Sequence, residues 1–231
     1  GNNLLVVGQN AEASLSMLAV ALVALSAQYP KGAVRFVLLD STVPESPERE
    51  FLDRVVQAVP HEIIRVKGGD VADAMNTLSE ELKQRGGDEK SGGPETFVLI
   101  HELQNYKKLR QEDEFSFSST DTASPATILL SLISDGPAHG IHVIATCDSF
   151  NNVNRFLGRK NLSEFEMRVL FQMSASDSAS LIDSPDAATL GMHRALYYND
   201  REGYTEMFRP YARPGNEWME AATAKLKRLL G

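Results

Sequence analysis

The sequence predicts an α/β domain of three layers, with a mainly parallel central sheet covered by helices on both faces. Two observations carry this. Short, mainly apolar runs recur along the chain, at residues 4–7, 34–39, 96–100 and 141–146. Strands without polar alternation are the ones buried on both faces. Between these runs lie stretches of helical length, several with capping residues at their start, and alternation of strands with helices implies parallel crossovers. At 231 residues the chain stands at the upper end of what one core serves, so a single domain is expected.

The elements follow in order. The run 4–7 ends at Gly8, as a strand does where it enters a turn. Residues 12–28 form a helix, apolar almost all round and stopped by Pro30. The second strand, 34–39, ends at Asp40. Ser46 and Pro47 are an N-cap and a first-turn proline, opening a helix to about Ala58. Residues 63–66 are a third strand, and Asp70 caps a helix running to about Arg85. A polar, glycine-rich loop spans 86–94, and 96–100 is the most strongly apolar β segment. Residues 104–124, rich in Ser, Thr and Asp, are expected to be an exposed and mobile insertion. A helix over 126–134 is ended by Asp135-Gly136-Pro137. Further strands are expected at 141–146, 166–171 and 194–198, with 205–208 a hairpin partner or edge strand. Pro214 precedes a last amphipathic helix, 217–230. No fixed-period repeat is visible.

Composition narrows the function classes. The net charge of −8 argues against a free-standing DNA binder, whose affinity comes largely from phosphate contacts by a basic face. The longest apolar stretch, 15–25, is too short to cross a bilayer, so no membrane contact by this domain is expected. The single cysteine, Cys147, excludes an internal disulfide and fits a reducing, cytoplasmic setting. Gly1 reads as a cloning remnant and Asn2-Asn3 runs straight into a strand, so the expectation is one domain, residues 1–231, excised from a larger multi-domain protein.

The first turn is where a phosphate would sit. A phosphate-binding loop needs G-x-x-x-x-G-K-[ST] between a strand and a helix: backbone N–H groups wrap the phosphates, the lysine reaches the outer ones and the hydroxyl holds Mg²⁺. Here the letters are Gly8-Gln9-Asn10-Ala11-Glu12-Ala13-Ser14-Leu15. Ala13 stands at the second glycine, Ser14 at the lysine and Leu15 at the metal hydroxyl, while Glu12 adds a negative charge. By motif alone this is any strand–turn–helix.

The rest of the chain makes the turn worth naming. The stretch Phe97-Val98-Leu99-Ile100-His101-Glu102-Leu103 resembles the Walker B strand of FtsK/SpoIIIE (HerA/FtsK-type) P-loop motor domains. His101 then stands at the Mg²⁺-coordinating aspartate and Glu102 at the glutamate that activates water. Gly140-Ile141-His142-Val143-Ile144-Ala145-Thr146 is similar to the family's strand leading to a glutamine that senses the γ-phosphate; here Cys147 and Asp148 follow. Residues 168–183 and Leu190-Gly191-Met192-His193-Arg194-Ala195-Leu196-Tyr197-Tyr198 resemble its last strand–serine–helix segment and its closing glycine-containing turn. The resemblance spans about 4–210 in the right order.

It implies a RecA-like P-loop NTPase fold, with ATP and Mg²⁺ as family cofactors whose binding here is weak or absent. It places Gly8 and Glu102 near the carboxyl ends of adjacent central strands. It implies partners that are neighbouring ATPase domains or copies of the chain in a ring, with any DNA reached through the assembly at Lys107, Lys108 and Arg110. Arg168 is a candidate trans-acting arginine. No residue spacing marks a metal site beyond these.

Each residue also has a plain structural reading that stands beside the functional one. Glu102 is equally a solvated acid at a strand end, His101 and His142 satisfied core or loop histidines, and Cys147 a small apolar filler. Arg168 is equally a cap on the sheet edge. The cluster 107–110 is followed by Glu112, Asp113 and Glu114, as on a mixed solvated face. Loss of the lysine, the metal hydroxyl and the metal aspartate together removes most of what phosphoryl transfer needs. The expectation is therefore a domain that does not hydrolyse ATP alone and serves assembly or regulation within a larger ATP-driven motor. The alternatives are an active DNA translocase domain and a substrate-recognition domain like the EccC-type ATPase domains of type VII secretion.

Overall fold

Alternation within the central strands decides which helix covers which face. In Glu95–Ile100 (β4), Phe97 and Leu99 share a core with one set of helices, while Val98 and Ile100 share a core with another, the two-residue period of a strand buried on both sides. The computed structural model describes residues 3–87, 93–111 and 123–230. The remaining strands are Leu4–Val7 (β1), Val34–Leu39 (β2), Glu62–Val66 (β3), Ile141–Cys147 (β5), Met167–Leu170 (β6), Ala195–Asn199 (β7) and Tyr204–Phe208 (β8). They form one sheet in the order β3-β2-β4-β5-β1-β6-β7-β8. Its pairs are parallel through β6, and β7 and β8 close it antiparallel.

Helices Ala11–Gln28 (α1), Pro47–Ala58 (α2) and Asn216–Leu230 (α7) lie on one face. Val71–Arg85 (α3), Pro125–Ser134 (α4), Phe150–Leu162 (α5) and Ala175–Ile182 (α6) lie on the other. Side-chain caps start several of them, with Ser46, Ser124, Ser149 and Ser174 each accepting an N–H of the first turn. The expected three-layer architecture is the one observed. By length and apolar composition the whole of α1, 18 residues, passes as a membrane-spanning helix. Here it packs against β5, α2 and α7.

Two segments differ from expectation. Residues 104–111 are not a loose insertion: two 3-10 turns, the first opening at Leu103, bury Tyr106 and Leu109. The rest of that expected insertion, 112–122, and residues 88–92 of the polar loop lie outside the described residues. Helix α5 was not anticipated at all; its four asparagines and Gly158 are weak helix formers. Gly158 sits at φ 65° inside it, a conformation that favours glycine.

The start of β1 is held by a side chain. Asn3 is fully buried, its Nδ2 donating to the carbonyls of Ile133 (2.8 Å) and Glu164 (3.1 Å) and its Oδ1 accepting the N–H of Val143 (2.8 Å). One amide thus ties β1 to β5, to the end of α4 and to the approach to β6. That sets the height at which β1 delivers the next residues to the carboxyl rim.

Candidate functional site

At the carboxyl end of β1 the chain turns through Gly8, at φ 138°. A Cβ there would lie 2.7 Å from the Cβ of Phe171, so only glycine fits. Its N–H donates to the carbonyl of Cys147 at 3.0 Å. Asn10 then caps α1, accepting the N–H of Ala13 at 3.1 Å. The helix begins at Ala11, so Ala11, Glu12, Ala13, Ser14 and Leu15 are helical and only Gly8, Gln9 and Asn10 form the turn. Ser14 is 4% exposed and lines the cleft above the turn. Leu15 is buried in the core with α2.

Glu102 faces the same cleft. It leaves β4 in the left-handed region, φ 55° and ψ 72°, which a residue with a Cβ holds only when its surroundings impose it. Here they do. The Glu102 N–H donates to Thr146 Oγ1 at 2.8 Å, and Asn105 Nδ2 donates to Glu102 Oε2 at 2.8 Å. On the β2 side, Ser41 Oγ donates to the carbonyl of His101 at 2.7 Å and lies 2.9 Å from His101 Nδ1. Having given its proton to the carbonyl, the hydroxyl receives one from Nδ1, which assigns the Nδ1–H tautomer. His101 is 5% exposed. Burial holds its pKa below the ordinary value, against the charges of Glu102 and Asp40. Nearby, Asp40 is buried, yet hydrogen bonds from Thr42 and Arg65 and the charge of Arg49 outweigh burial and keep its carboxyl below the usual range.

Gly8 and Glu102 therefore share one rim, but their strands are not adjacent: β5 lies between β1 and β4, which corrects the expectation. The intervening strand contributes Thr146, Cys147 and Asp148. The cleft has a volume of about 350 Å³ between Gly8, Ser14, Glu102, Gln104, Thr146 and Asp148. A second hollow of about 220 Å³ shares Gly8 and Asp148 and reaches Asp177. No Lys, Arg or His is among the described residues lining either. Asp148 Oδ1 accepts from Ser149 Oγ at 2.9 Å and Asn152 Nδ2 at 2.7 Å. Cys147 is buried and its thiol pKa is pushed up to about 12 by burial, so it behaves as filler.

The other sequence candidates lie elsewhere. Lys107, Lys108 and Arg110 are exposed, and Lys108 Nζ donates to the carbonyl of Gly69 at 3.3 Å. Arg168 is 7% exposed, its Nε, Nη1 and Nη2 donating to the carbonyls of Phe165, Leu181 and Leu162 at 2.9, 2.6 and 2.9 Å. It also stacks over the Tyr198 ring at 5.4 Å. A guanidinium held this way ties β6 to α6 and does not project toward a neighbour. Sequence reading missed Gln104 and the wall role of Asp148; a polar residue directly after an apolar strand in a parallel sheet was the available signal.

The comparisons bear on this geometry. No family model matches the sequence, and no curated protein matches it. Among solved structures, the cytoplasmic domain of the type VII secretion ATPase EccC from Thermomonospora curvata superposes with a TM-score of 0.70 at 15% identity, over 98% of this chain and 28% of that one. The pCW3 conjugation coupling protein TcpA, solved with ATPγS, gives 0.67 at 14% identity, over 98% and 64%. The fold is the one these P-loop ATPases share. The genome-packaging NTPase B204 of Sulfolobus turreted icosahedral virus 2 extends the likeness, with a TM-score of 0.58 at 12% identity over 92% of this chain and 98% of that one. The chain spans less than two thirds of the length of the TcpA and EccC chains it matches.

Proposed function

We propose that this domain keeps the motor ATPase fold without hydrolysing ATP, and serves assembly or regulation within a larger ATP-driven motor. The observation that carries the reading is the chemistry of the rim cleft. A magnesium-bound triphosphate needs a lysine, a metal-ligating hydroxyl and hard oxygen ligands. The corresponding positions hold Ser14, the core residue Leu15 and the buried imidazole of His101. The helix starts early enough to take up the stretch that would wrap phosphates, and its first free N–H groups are partly capped by Asn10. Two carboxylates, Glu102 and Asp148, line the space with no cation beside them. This donor set does not fit the group. Among the described residues no cluster of three or more His, Cys, Asp or Glu side chains offers another metal site.

In this reading the partners are other ATPase domains, on the same chain or as copies of this one. The domain works on the cytoplasmic side, as does the EccC domain it superposes on. Any DNA contact is made through the assembly, by Lys107, Lys108 and Arg110. Calorimetry with Mg²⁺–ATP and a phosphate-release assay test the proposal. No binding in the micromolar range and no turnover are expected; micromolar binding or measurable turnover by this chain overturns it.

A further inference from the structure

We infer that the outer face of α1, with an exposed row of α7 on one side and the open side of β7 and β8 on the other, is an interface between two copies of this chain related by a twofold axis. The inference does not depend on whether the rim cleft takes nucleotide.

It starts from an anomaly of α1. Glu12 is the one charged residue among its 18, yet less than half of the helix is buried. Leu15, Leu18 and Leu22 fill the core beneath it. Met17, Val20, Ala24 and Ala27 recur at three- and four-residue steps on the opposite side, the first two half-buried and the last two exposed. A surface helix turns polar residues to water, and one that is apolar all round is normally covered on every side.

The two flanks extend the apolar surface. On α7, Trp218, Ala222, Lys225 and Leu229 share one side of the helix, with Trp218 46% and Leu229 66% exposed. The opposite side of α7, with Asn216, Glu220 and Lys227, lines the groove over α2, which puts the Trp218 row on the α1 side. On β7 and β8, Tyr197 and Phe208 pack on the cluster of Ala13, Val169 and Ala195, and so stand on the α1 side of the sheet. The Tyr204 ring lies edge-on to Tyr197 at 6.3 Å, and β8 is exposed along almost its whole length. An apolar surface of this extent on a soluble domain marks an interaction site.

The charges choose the occupant. Each flank carries a single charge within its apolar row, and the two are opposite: Lys225 on α7, and Glu206 between Tyr204 and Phe208 on β8. The Tyr204 hydroxyl donates to Glu206 Oε2 at 2.6 Å and holds the carboxylate in the row. A face with a cation on one side, an anion on the other and an apolar strip between them is its own complement. Half a turn about an axis through α1 sets Lys225 of each copy against Glu206 of the other. Shape agrees with charge. Helix α7 packs on α1 and α2 and stands as a ridge, whereas β8 lies in the sheet below, so ridge meets step at both ends. An anionic bilayer is disfavoured on the same face by Glu12 and Glu206.

Sedimentation velocity of the 231-residue chain without nucleotide, over about 1 to 200 µM, is expected to show a monomer–dimer equilibrium. Ala24→Arg, at an exposed helical position where arginine is a good helix former, should leave only monomer. Glu206→Lys and Lys225→Glu should each weaken the dimer by roughly tenfold or more, because like charges then meet twice. Mixing the two single variants should restore it, since every contact is again between opposite charges. Far-ultraviolet circular dichroism and the urea midpoint check that each variant folds. A chain that stays monomeric throughout, or a dimer that these substitutions leave unchanged, overturns the inference. Flotation with phosphatidylcholine–phosphatidylglycerol vesicles completes the test: a monomer that floats with them assigns the face to a membrane and overturns it as well. Micromolar binding of Mg²⁺–ATP would remove the proposed function and leave this interface standing.

Discussion

Replacing Asn3 by alanine removes three hydrogen bonds at once, two of them buried and one partly buried. The Val143 N–H loses its acceptor, and the carbonyls of Ile133 and Glu164 lose their donor. Each buried group left unsatisfied costs about 1–3 kcal/mol, so the two buried groups with the partly buried third should cost about 3 kcal/mol. For a domain of this size about 1 kcal/mol corresponds to roughly 2–4 °C in Tm, which places the drop at about 6–12 °C. Equilibrium urea unfolding followed by circular dichroism measures it directly, with the midpoint falling and the slope unchanged. Asn3→Asp makes a sharper version of the test. It keeps an acceptor for Val143 but turns an oxygen toward two carbonyl oxygens, so it should be no better than alanine despite being nearly isosteric. A loss below about 1 kcal/mol for alanine, or a well-tolerated aspartate, would refute the view that this amide sets the level of β1 against its neighbours.

Two further predictions address buried polar side chains. Arg168→Ala should destabilise by about 3 kcal/mol, since three carbonyls lose their donor, and Arg168→Lys should not rescue it because one ammonium cannot reach all three; full stability of the lysine variant would show that charge alone matters. His101 has a pKa held below 6.5 by burial, so the unfolded chain takes up its proton first. The stability tied to this residue is complete above about pH 6.5 and is lost as the pH falls below that value toward the folded pKa. His101→Gln should therefore flatten the dependence of the urea midpoint on pH between about 7 and 5; an unchanged slope would show that the imidazole stays neutral for no energetic reason of its own.

The fold was legible where one physical signal dominated. Uninterrupted apolar runs such as 96–100 could only be strands buried on both faces, and Ser46-Pro47 announced a helix start that the structure shows with Ser46 accepting the Arg49 N–H. Helix α5 was not legible, because Asn151, Asn152, Asn154, Asn161 and Gly158 oppose helix locally and only burial of Val153, Phe156 and Leu157 makes it. Strand order was beyond reach for a different reason. Nothing in the letters of β5 says that it inserts between β1 and β4, so the rim was drawn with two walls where there are three. Asn3 read as a polar lead-in because a side chain's hydrogen-bond partners, 130 to 161 residues away, leave no trace in local pattern. Glu102 was identified by its place after an apolar strand; its left-handed backbone, held by Ser41 after β2 and Thr146 in β5, was not.

Helix α7 packs against α1 and α2, and its Met219 is buried in the same core as Leu15 and Phe51. Ahead of it, Arg213 pairs with Glu48 at 3.2 Å and lies over the Phe51 ring at 5.8 Å. Residues 213–230 thus act as a clasp on residues 11–58, contacts that reach back across the whole sheet. During synthesis this face stays open while β1 to β8 are laid down, and α1 and α2 wait for Asn216–Leu230 to leave the ribosome. Long-range closures of this kind come late in folding and leave the uncovered surface open to chaperones and to mispairing. On a chain carrying several such domains in series, the clasp of one would form as the first strand of the next begins to emerge, so the order in which the units mature would follow the order in which they are translated.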